Sequence, residues 1–161
     1  MEADDVVPAD LPSAGPLRSH RALHAGGSAT AESRGIEVVS SDGVEISDNV
    51  SIEGGGAGPR TYGLYVESAS ATVIRDNTAI RGGTGTEARA IFVTDGVDVE
   101  IRDNALIDGA GTGDESYGVE IATGAVEIAG NLDIRGGAAD EGYGIYMRPS
   151  ADAALTLTGN D

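Results

Sequence analysis

The stretches TVIRDNTAIRGG (residues 72–83) and VEIRDNALIDGA (residues 99–110) carry nearly the same pattern 27 residues apart. Each holds an asparagine in the same phase, and aligning the rest of the chain on it reveals five copies. They are Asn49, Asn77, Asn104, Asn131 and Asn160, at spacings of 28, 27, 27 and 29 residues. A sequence period of this length predicts a solenoid built from stacked repeats.

Apolar residues recur in a fixed phase around each asparagine. Five residues before it stand Val44, Thr72, Val99, Val126 and Leu155, and three before it Ile46, Ile74, Ile101, Ile128 and Leu157. Three residues after the first four stand Ile52, Ile80, Ile107 and Ile134. A second anchor reads GIEV at 35, GLYV at 63, AIFV at 90, GVEI at 118 and GIYM at 144. Apolar and polar residues alternate within these segments, which is the period of a β-strand.

Each unit therefore predicts three strands of three to five residues, followed by a glycine-rich return loop. Such a unit buries no core alone, but units stacked about 4.8 Å apart form three parallel sheets around one interior. The inward columns of the first strand are predicted as Ile36/Leu64/Ile91/Val119/Ile145 and Val38/Val66/Val93/Ile121/Met147.

The repeated asparagine is interpreted as the residue of a sharp bend between two sheets. Asparagine tolerates the left-handed conformation and bonds its own backbone there. In a stack, its amide would also donate to the carbonyl oxygen of the next asparagine, which predicts a ladder inside the turn.

The segment YGLYVESASATVIRDNTAIRGG (residues 62–83), followed by a glycine-rich loop and another anchor, resembles the repeats of right-handed parallel β-helices of the pectin-lyase-like superfamily. The resemblance covers residues 35–161 and implies an all-β, right-handed parallel β-helix solenoid of about 4.5 coils of 27–28 residues. Leucine-rich repeats share the fragment Val44-x-Ile46-x-x-Asn49, but they need a helix-like return where this chain has glycine.

Two segments are expected along the chain. Residues 1–22 contain Pro8, Pro12 and Pro16 and predict a disordered or linker segment, with a cap over the first coil as the alternative. Residues 23–161 predict the β-helix, in which 23–34 form a degenerate partial coil.

The resemblance implies polysaccharide lyases and hydrolases, epimerases, phage tailspikes and adhesins, most of them secreted or on cell surfaces. The residues offer little for catalysis, because His20 and His24 precede the regular array and the chain has no Lys and no Cys. No catalytic residue, metal ligand or cofactor is therefore predicted. The open alternative is calcium in the column Asp48, Asp76 and Asp103, although Arg75 and Arg102 beside it favour a charge-balanced turn.

All six aromatic residues fall in two outward columns near the anchor. One column is Glu37, Tyr65, Phe92, Glu120 and Tyr146, and the other is Arg34, Tyr62, Arg89, Tyr117 and Tyr143. Aromatic faces flanked by carboxylates and arginines suit sugar rings, so these six rings are the candidate glycan-binding residues. The alternative is that stacked rings only stabilise an exposed sheet. A third outward column, Glu53, Arg81, Asp108 and Arg135, alternates in sign and predicts ion pairs that fix the register.

The net charge of the chain limits the classes of partner that it can bind. With 27 acidic residues against ten arginines, the net charge of −17 should repel nucleic acid and anionic membranes. No apolar run approaches the ~20 residues of a membrane span, and this chain shows no signal peptide. An extracellular or surface location is therefore expected from the resemblance alone. Because the array stops at Asp161 without a third strand, we expect a continuation or a partner to cap its open end.

These observations favour a non-catalytic surface or secreted β-helix module, either structural or in contact with a polysaccharide through the aromatic columns. The alternatives are a fragment of a polysaccharide-active lyase or hydrolase of the same superfamily, and a passive spacer.

Overall fold

Sixteen strands form three parallel sheets in a computed structural model that describes residues 18–19, 23–25, 31–56, 58–150 and 152–160. Sheet A contains β1 (Arg18–Ser19), β4 (Glu45–Ser47), β7 (Val73–Arg75), β10 (Gly96–Arg102), β13 (Gly124–Ala129) and β16 (Ala153–Thr158). Sheet B contains β2 (Leu23–Ala25), β5 (Ser51–Glu53), β8 (Ile80–Arg81), β11 (Ile107–Asp108) and β14 (Ile134–Arg135). Sheet C contains β3 (Glu32–Val39), β6 (Arg60–Glu67), β9 (Glu87–Thr94), β12 (Glu115–Ile121) and β15 (Glu141–Met147).

Consecutive strands belong to different sheets, and each strand pairs with its counterpart one coil later, so the chain winds as a β-solenoid of about four turns. The register of the predicted inward columns is confirmed, since Leu64 pairs with Ile36 and Ile91, and Val66 pairs with Val38 and Val93. Met147, the last predicted member, is 42% exposed because no further coil covers it in the structure. The strands of sheet C are longer than predicted, at seven or eight residues. They begin three residues before the glycine anchor, because pairing extends into the end of each return loop.

The interior is a column of β-branched and leucine side chains. Ile52, Leu64, Ile74, Ile91 and Ile107 are each fully buried within one continuous apolar cluster. Each such side chain contributes roughly 1.5–3 kcal/mol of burial free energy. The apolar side chains of each coil are covered by those of the next coil.

The predicted asparagine ladder is confirmed. The Nδ2 atoms of Asn49, Asn77, Asn104 and Asn131 each donate to the Oδ1 of the next asparagine at 2.9 Å. The same oxygen also accepts the backbone N–H of the preceding asparagine at 3.0–3.1 Å. The ladder therefore satisfies buried polar groups inside the turn between sheets A and B.

The asparagine is not the left-handed residue of this bend, contrary to the sequence interpretation. The residue before it takes that conformation, with φ of 59° at Asp48, 54° at Asp76, 56° at Asp103, 63° at Gly130 and 58° at Gly159. Aspartate and glycine are the residues that tolerate this region, and the asparagine is then free to turn its amide inward.

Ion pairs on sheet B follow the predicted alternation in two places. Arg81 Nη1 lies 3.4 Å from Glu53 Oε1, and Arg135 Nη2 lies 2.8 Å from Asp108 Oδ2. Opposite charges on neighbouring coils thus reinforce the register of the short third strands.

The proposed division at residue 22 falls mostly on residues outside the described part and stays a prediction. Arg18–Ser19 pairs with Glu45 and Ile46 of β4, and Leu23–Ala25 pairs with β5, so strand pairing reaches back to Arg18. Among the described residues, no helix has the length and apolar character that crossing a membrane requires.

A buried threonine offers a test of the core. Thr72 is fully buried where other coils carry valine or leucine, and its Oγ1 finds no hydrogen-bond partner among the described residues. Replacing the hydroxyl by a methyl removes an unsatisfied polar group at nearly constant shape. Thr72→Val should therefore raise the free energy of unfolding by about 1 kcal/mol, measured by urea denaturation.

Thr61→Val is the matched control. Thr61 is equally buried, but its Oγ1 accepts the backbone N–H of Gly85 at 3.3 Å. This variant should lose stability. A gain in stability in both variants would contradict the explanation by an unsatisfied hydroxyl, because it would show that valine stabilises the protein whether or not the threonine hydroxyl is hydrogen-bonded.

The ladder gives a second test, at an interior rung. Asn104 Nδ2 donates to Ile74 O at 3.1 Å and to Asn131 Oδ1 at 2.9 Å, while its Oδ1 accepts two hydrogen bonds from Asn77. Asn104→Ala removes these four hydrogen bonds between buried groups, and the backbone N–H of Asn77 loses its acceptor, which should cost about 3 kcal/mol. Asn160→Ala, at a half-buried rung with one asparagine neighbour, should cost clearly less in the same denaturation experiment. Equal losses would argue against a cooperative ladder.

Candidate functional site

The outer face of sheet C carries two neighbouring columns of aromatic and charged side chains because strand alternation breaks at each glycine anchor. Strict alternation would put Tyr62 on the same side as the inward Leu64. Strand pairing instead skips the anchor, and a Cβ on Gly63 would lie only 2.6 Å from Arg81 O and 2.7 Å from Ala90 O. The resulting change of phase places Tyr62 beside Tyr65, with their ring centroids 5.2 Å apart.

Three outward columns result, and strand pairing confirms their register. The anchor column is Arg34, Tyr62, Arg89, Tyr117 and Tyr143, and the second column is Glu37, Tyr65, Phe92, Glu120 and Tyr146. A further column, two residues before the anchor column, consists of Glu32, Arg60, Glu87, Glu115 and Glu141.

The six rings gather into two aromatic clusters. The first cluster is Tyr62, Tyr65 and Phe92, with centroid distances of 5.2–5.7 Å. The second cluster is Tyr117, Tyr143 and Tyr146, with centroid distances of 5.2–5.7 Å, and Tyr117 and Tyr143 stack at an interplanar angle of 11°.

The rings differ in accessibility, which the sequence did not predict. Tyr62, Phe92 and Tyr117 are buried, at 5%, 8% and 5% exposure, although they point away from the core. Tyr65 and Tyr146 are partly exposed, and Tyr143 is 42% exposed. Three rings therefore support the face from beneath, and three remain accessible to a ligand.

Arginines lie over the three rings of the first cluster and over Tyr117 of the second. The guanidinium carbon of Arg34 lies 4.2 Å from the Tyr65 ring centroid, and that of Arg148 lies 5.6 Å from the Phe92 centroid. Arg89 lies 5.5 Å from Tyr62, 5.9 Å from Phe92 and 5.3 Å from Tyr117. These distances are within the range of cation–π attraction. The alternation of arginine and tyrosine in the anchor column is the sequence signal that could have predicted these contacts between arginines and rings.

A buried ion pair lies between the two clusters. The side chains of Arg89 and Glu120 are 4% and 2% exposed; Arg89 Nε donates to Glu120 Oε2, and its Nη2 donates to Glu87 Oε2 at 3.0 Å. The second Glu120 oxygen, Oε1, accepts Arg148 Nε at 2.6 Å. Burial is the largest single influence on Arg89 and lowers its pKa, but the charge and hydrogen bonds of its neighbours, chiefly Glu120, together outweigh burial and raise the pKa. One carboxylate thus fixes two guanidiniums.

A cleft of about 240 Å³ opens beside the first cluster. The residues around it are rings, arginines and glutamates: Glu32, Arg60, Tyr62, Tyr65, Glu87, Arg89, Phe92 and Arg148. Arg60 bridges Glu32 and Glu87 at 3.4 and 3.2 Å, so the charges that line the cleft are paired with one another.

Three phenols on this face have raised pKa values, which favours their neutral form. Burial raises the pKa of Tyr117, and its hydroxyl donates to Glu115 Oε2 at 3.0 Å, which raises it further. Burial also raises the pKa of Tyr62 and of Tyr65.

The other candidate residues are placed apart from this face. Asp76 and Asp103 lie in the bend between sheets A and B, paired with Arg75 and, at 3.1 Å, with Arg102. Within the described ranges, no group of three or more histidine, aspartate or glutamate side chains is arranged to hold a metal ion. His24 lies in β2, and His20 lies outside the described residues.

The comparison with protein families identifies the fold independently. Residues 21–161 match the family described as "Right handed beta helix region", so the chain belongs to the right-handed β-helix family. That match also supplies the right-handed sense of the coil, consistent with a pectin-lyase-like relationship. No curated protein and no solved structure matched the chain.

The buried ion pair can be tested by a double-mutant cycle. Glu120→Gln removes the one buried carboxylate that pairs with Arg89 and leaves it only the more exposed Glu87 and Glu115, which should cost about 3 kcal/mol. Arg89→Met/Glu120→Gln should cost much less than the sum of the single variants, as measured by chemical denaturation. The exposed pair of Arg102 and Glu100, 3.4 Å apart, is the control, and Glu100→Gln should cost under about 1 kcal/mol. Additive losses at Arg89 and Glu120 would contradict a coupled pair.

Proposed function

We propose that this chain is a non-catalytic module of a surface or secreted protein, which contacts a glycan through the outer face of sheet C. The observation that supports the proposal is that all six aromatic side chains of the protein meet on this one face. Cross-strand stacking alone would not require three of the rings, Tyr65, Tyr143 and Tyr146, to remain accessible to solvent.

The accessible rings are held in place before any ligand binds. Tyr62 packs against Tyr65 at an interplanar angle of 84°, and the buried Tyr117 stacks on Tyr143. Sugar rings pack their C–H faces on aromatic faces, while their hydroxyl groups bond to polar side chains at the rim. A rigid, preformed face lowers the ordering cost of such binding.

The polar groups beside the rings complement hydroxyl groups. Arg60, Arg148, Glu32 and Glu87 line the cleft next to Tyr65 and offer both donors and acceptors. Because Tyr65 and Tyr146 are three strands apart, about 14 Å along the solenoid axis separates them. That distance exceeds one sugar ring, so the face suits an oligosaccharide that runs along the axis.

The proposal is tested by a glycan-array screen of the wild-type protein and of Tyr65→Ala/Tyr143→Ala/Tyr146→Ala. We expect the wild type to bind, and the variant to bind about 100-fold more weakly if each ring contributes about 1 kcal/mol. The buried rings are left intact so that the variant keeps its fold, which circular dichroism would verify.

A matched control removes exposed apolar side chains elsewhere. Val50, Val97 and Leu132 are 54%, 54% and 64% exposed and lie outside sheet C. Their alanine triple variant should bind as the wild type does. Undiminished binding by the tyrosine variant would move the site off this face, and an array with no signal at all would leave the module as a spacer.

A further inference from the structure

We infer that the second aromatic cluster binds a protonated amino group, so that the glycan is an amino-sugar polymer with free amines. This inference rests on the proposed function and names the ligand class of the same face. The supporting observation is that arginines lie over the rings of the first cluster but not over the accessible rings of the second.

The protein itself shows which group these rings accept. All three rings of the first cluster have a guanidinium carbon within 6 Å of their centroids, supplied by Arg34, Arg89 and Arg148. The nearest is Arg34 over Tyr65, at 4.2 Å. The electron-rich faces of this cluster are therefore already occupied by cations of the chain.

The second cluster lacks that cover at its accessible end. Arg89 reaches Tyr117 at 5.3 Å, but no guanidinium of the described residues lies over Tyr143 or Tyr146. The anchor column alternates arginine and tyrosine from Arg34 to Tyr117, and the alternation stops at Tyr143. The ring at that position is 42% exposed.

Two carboxylates accompany the uncovered rings. Glu115 accepts the hydroxyl of Tyr117, and its nearest cation is Arg89 at 3.8 Å. Glu141 pairs in register with Glu115, is exposed, and forms no ion pair within the described part of the chain. A cation at this end of the cluster would thus meet the rings of Tyr143 and Tyr146, together with a carboxylate that has no ion pair among the described residues.

An organic amine fits this arrangement better than a metal ion or an anion. Metal ions need several oxygen ligands, and the described residues provide no such group. An anion would be repelled by the local carboxylates and by the net charge of −17, whereas a polycation would be attracted. A sugar that carries an amine also offers the C–H face of its ring, which can pack on the tyrosines.

The test uses two β-linked oligosaccharides of equal length, one of glucosamine and one of N-acetylglucosamine, titrated calorimetrically at mildly acidic pH. The two ligands differ in charge but share their backbone. We expect the glucosamine oligomer to bind at least tenfold more tightly, and its advantage to disappear as rising pH deprotonates the amines.

Two charge-matched variants locate the effect. Glu115→Gln/Glu141→Gln should reduce glucosamine binding to the level of the acetylated oligomer. Glu100→Gln/Glu127→Gln removes the same charge from the outer face of sheet A, where Glu100 and Glu127 pair in register, and should leave binding unchanged.

The outcomes separate this inference from the proposed function. Equal binding of both oligomers would overturn the inference and leave glycan binding standing. Equal losses in the two glutamate pairs, or equally tight binding of a lysine oligomer, would reduce the effect to bulk charge and also overturn it. No binding of either oligomer would overturn it too, while the glycan array would still decide the proposed function.

Discussion

The vertical hydrogen bond between successive asparagines is the interaction on which the rest of the structure depends. Each amide joins its own coil to the next, through Asn49, Asn77, Asn104 and Asn131. Because strand side chains alternate with a period of two, a slip of one residue between coils would exchange inward and outward positions throughout a sheet. Buried amides tolerate no such slip, since each would lose its partners. The ladder therefore fixes the inward columns, and through them the outward ones.

The glycine anchor uses that register to build the face of sheet C. Backbone carbonyls approach the anchor closely enough to exclude a side chain at Gly63. The change of phase there brings two outward columns together, and neither column alone would form an aromatic cluster. The same crowding explains why Ala90, with one small methyl group, is the largest residue in the anchor position. The aromatic face of sheet C is thus a product of backbone packing at the anchor.

The fold could be predicted from the sequence because the same pattern of apolar residues and asparagine occurs five times in the chain. The sequence predicted the inward columns, the ladder and the outward placement of the six rings. It missed the left-handed residue, since Asp103 reads as an ordinary surface charge until its φ is known. It also missed the burial of Arg89 and Glu120. An outward charged position is normally solvated, and here it is covered only because neighbouring coils place rings and a second arginine over it. Such covering depends on side-chain length and direction across three coils, which periodicity does not encode.

The apolar core and the aromatic face are separate parts of this architecture. Inward side chains such as Ile74 and Ile101 lie within the apolar cluster, whereas the outward side chains, including the buried Arg89 and Glu120, lie outside it. A β-helix therefore does not determine its ligand, and the ligand class must be argued from the outward columns. Here those columns combine rings that are already covered by arginine with rings that are not. Glu120 and Glu87 fix Arg89 and Arg148, and Glu32 and Glu37 fix Arg34. The rings of the first cluster thus already have cation partners within the protein. The second cluster is accessible and lies beside glutamates. At this part of the face, the net charge of the protein and the chemistry of the rings both favour a cationic ligand.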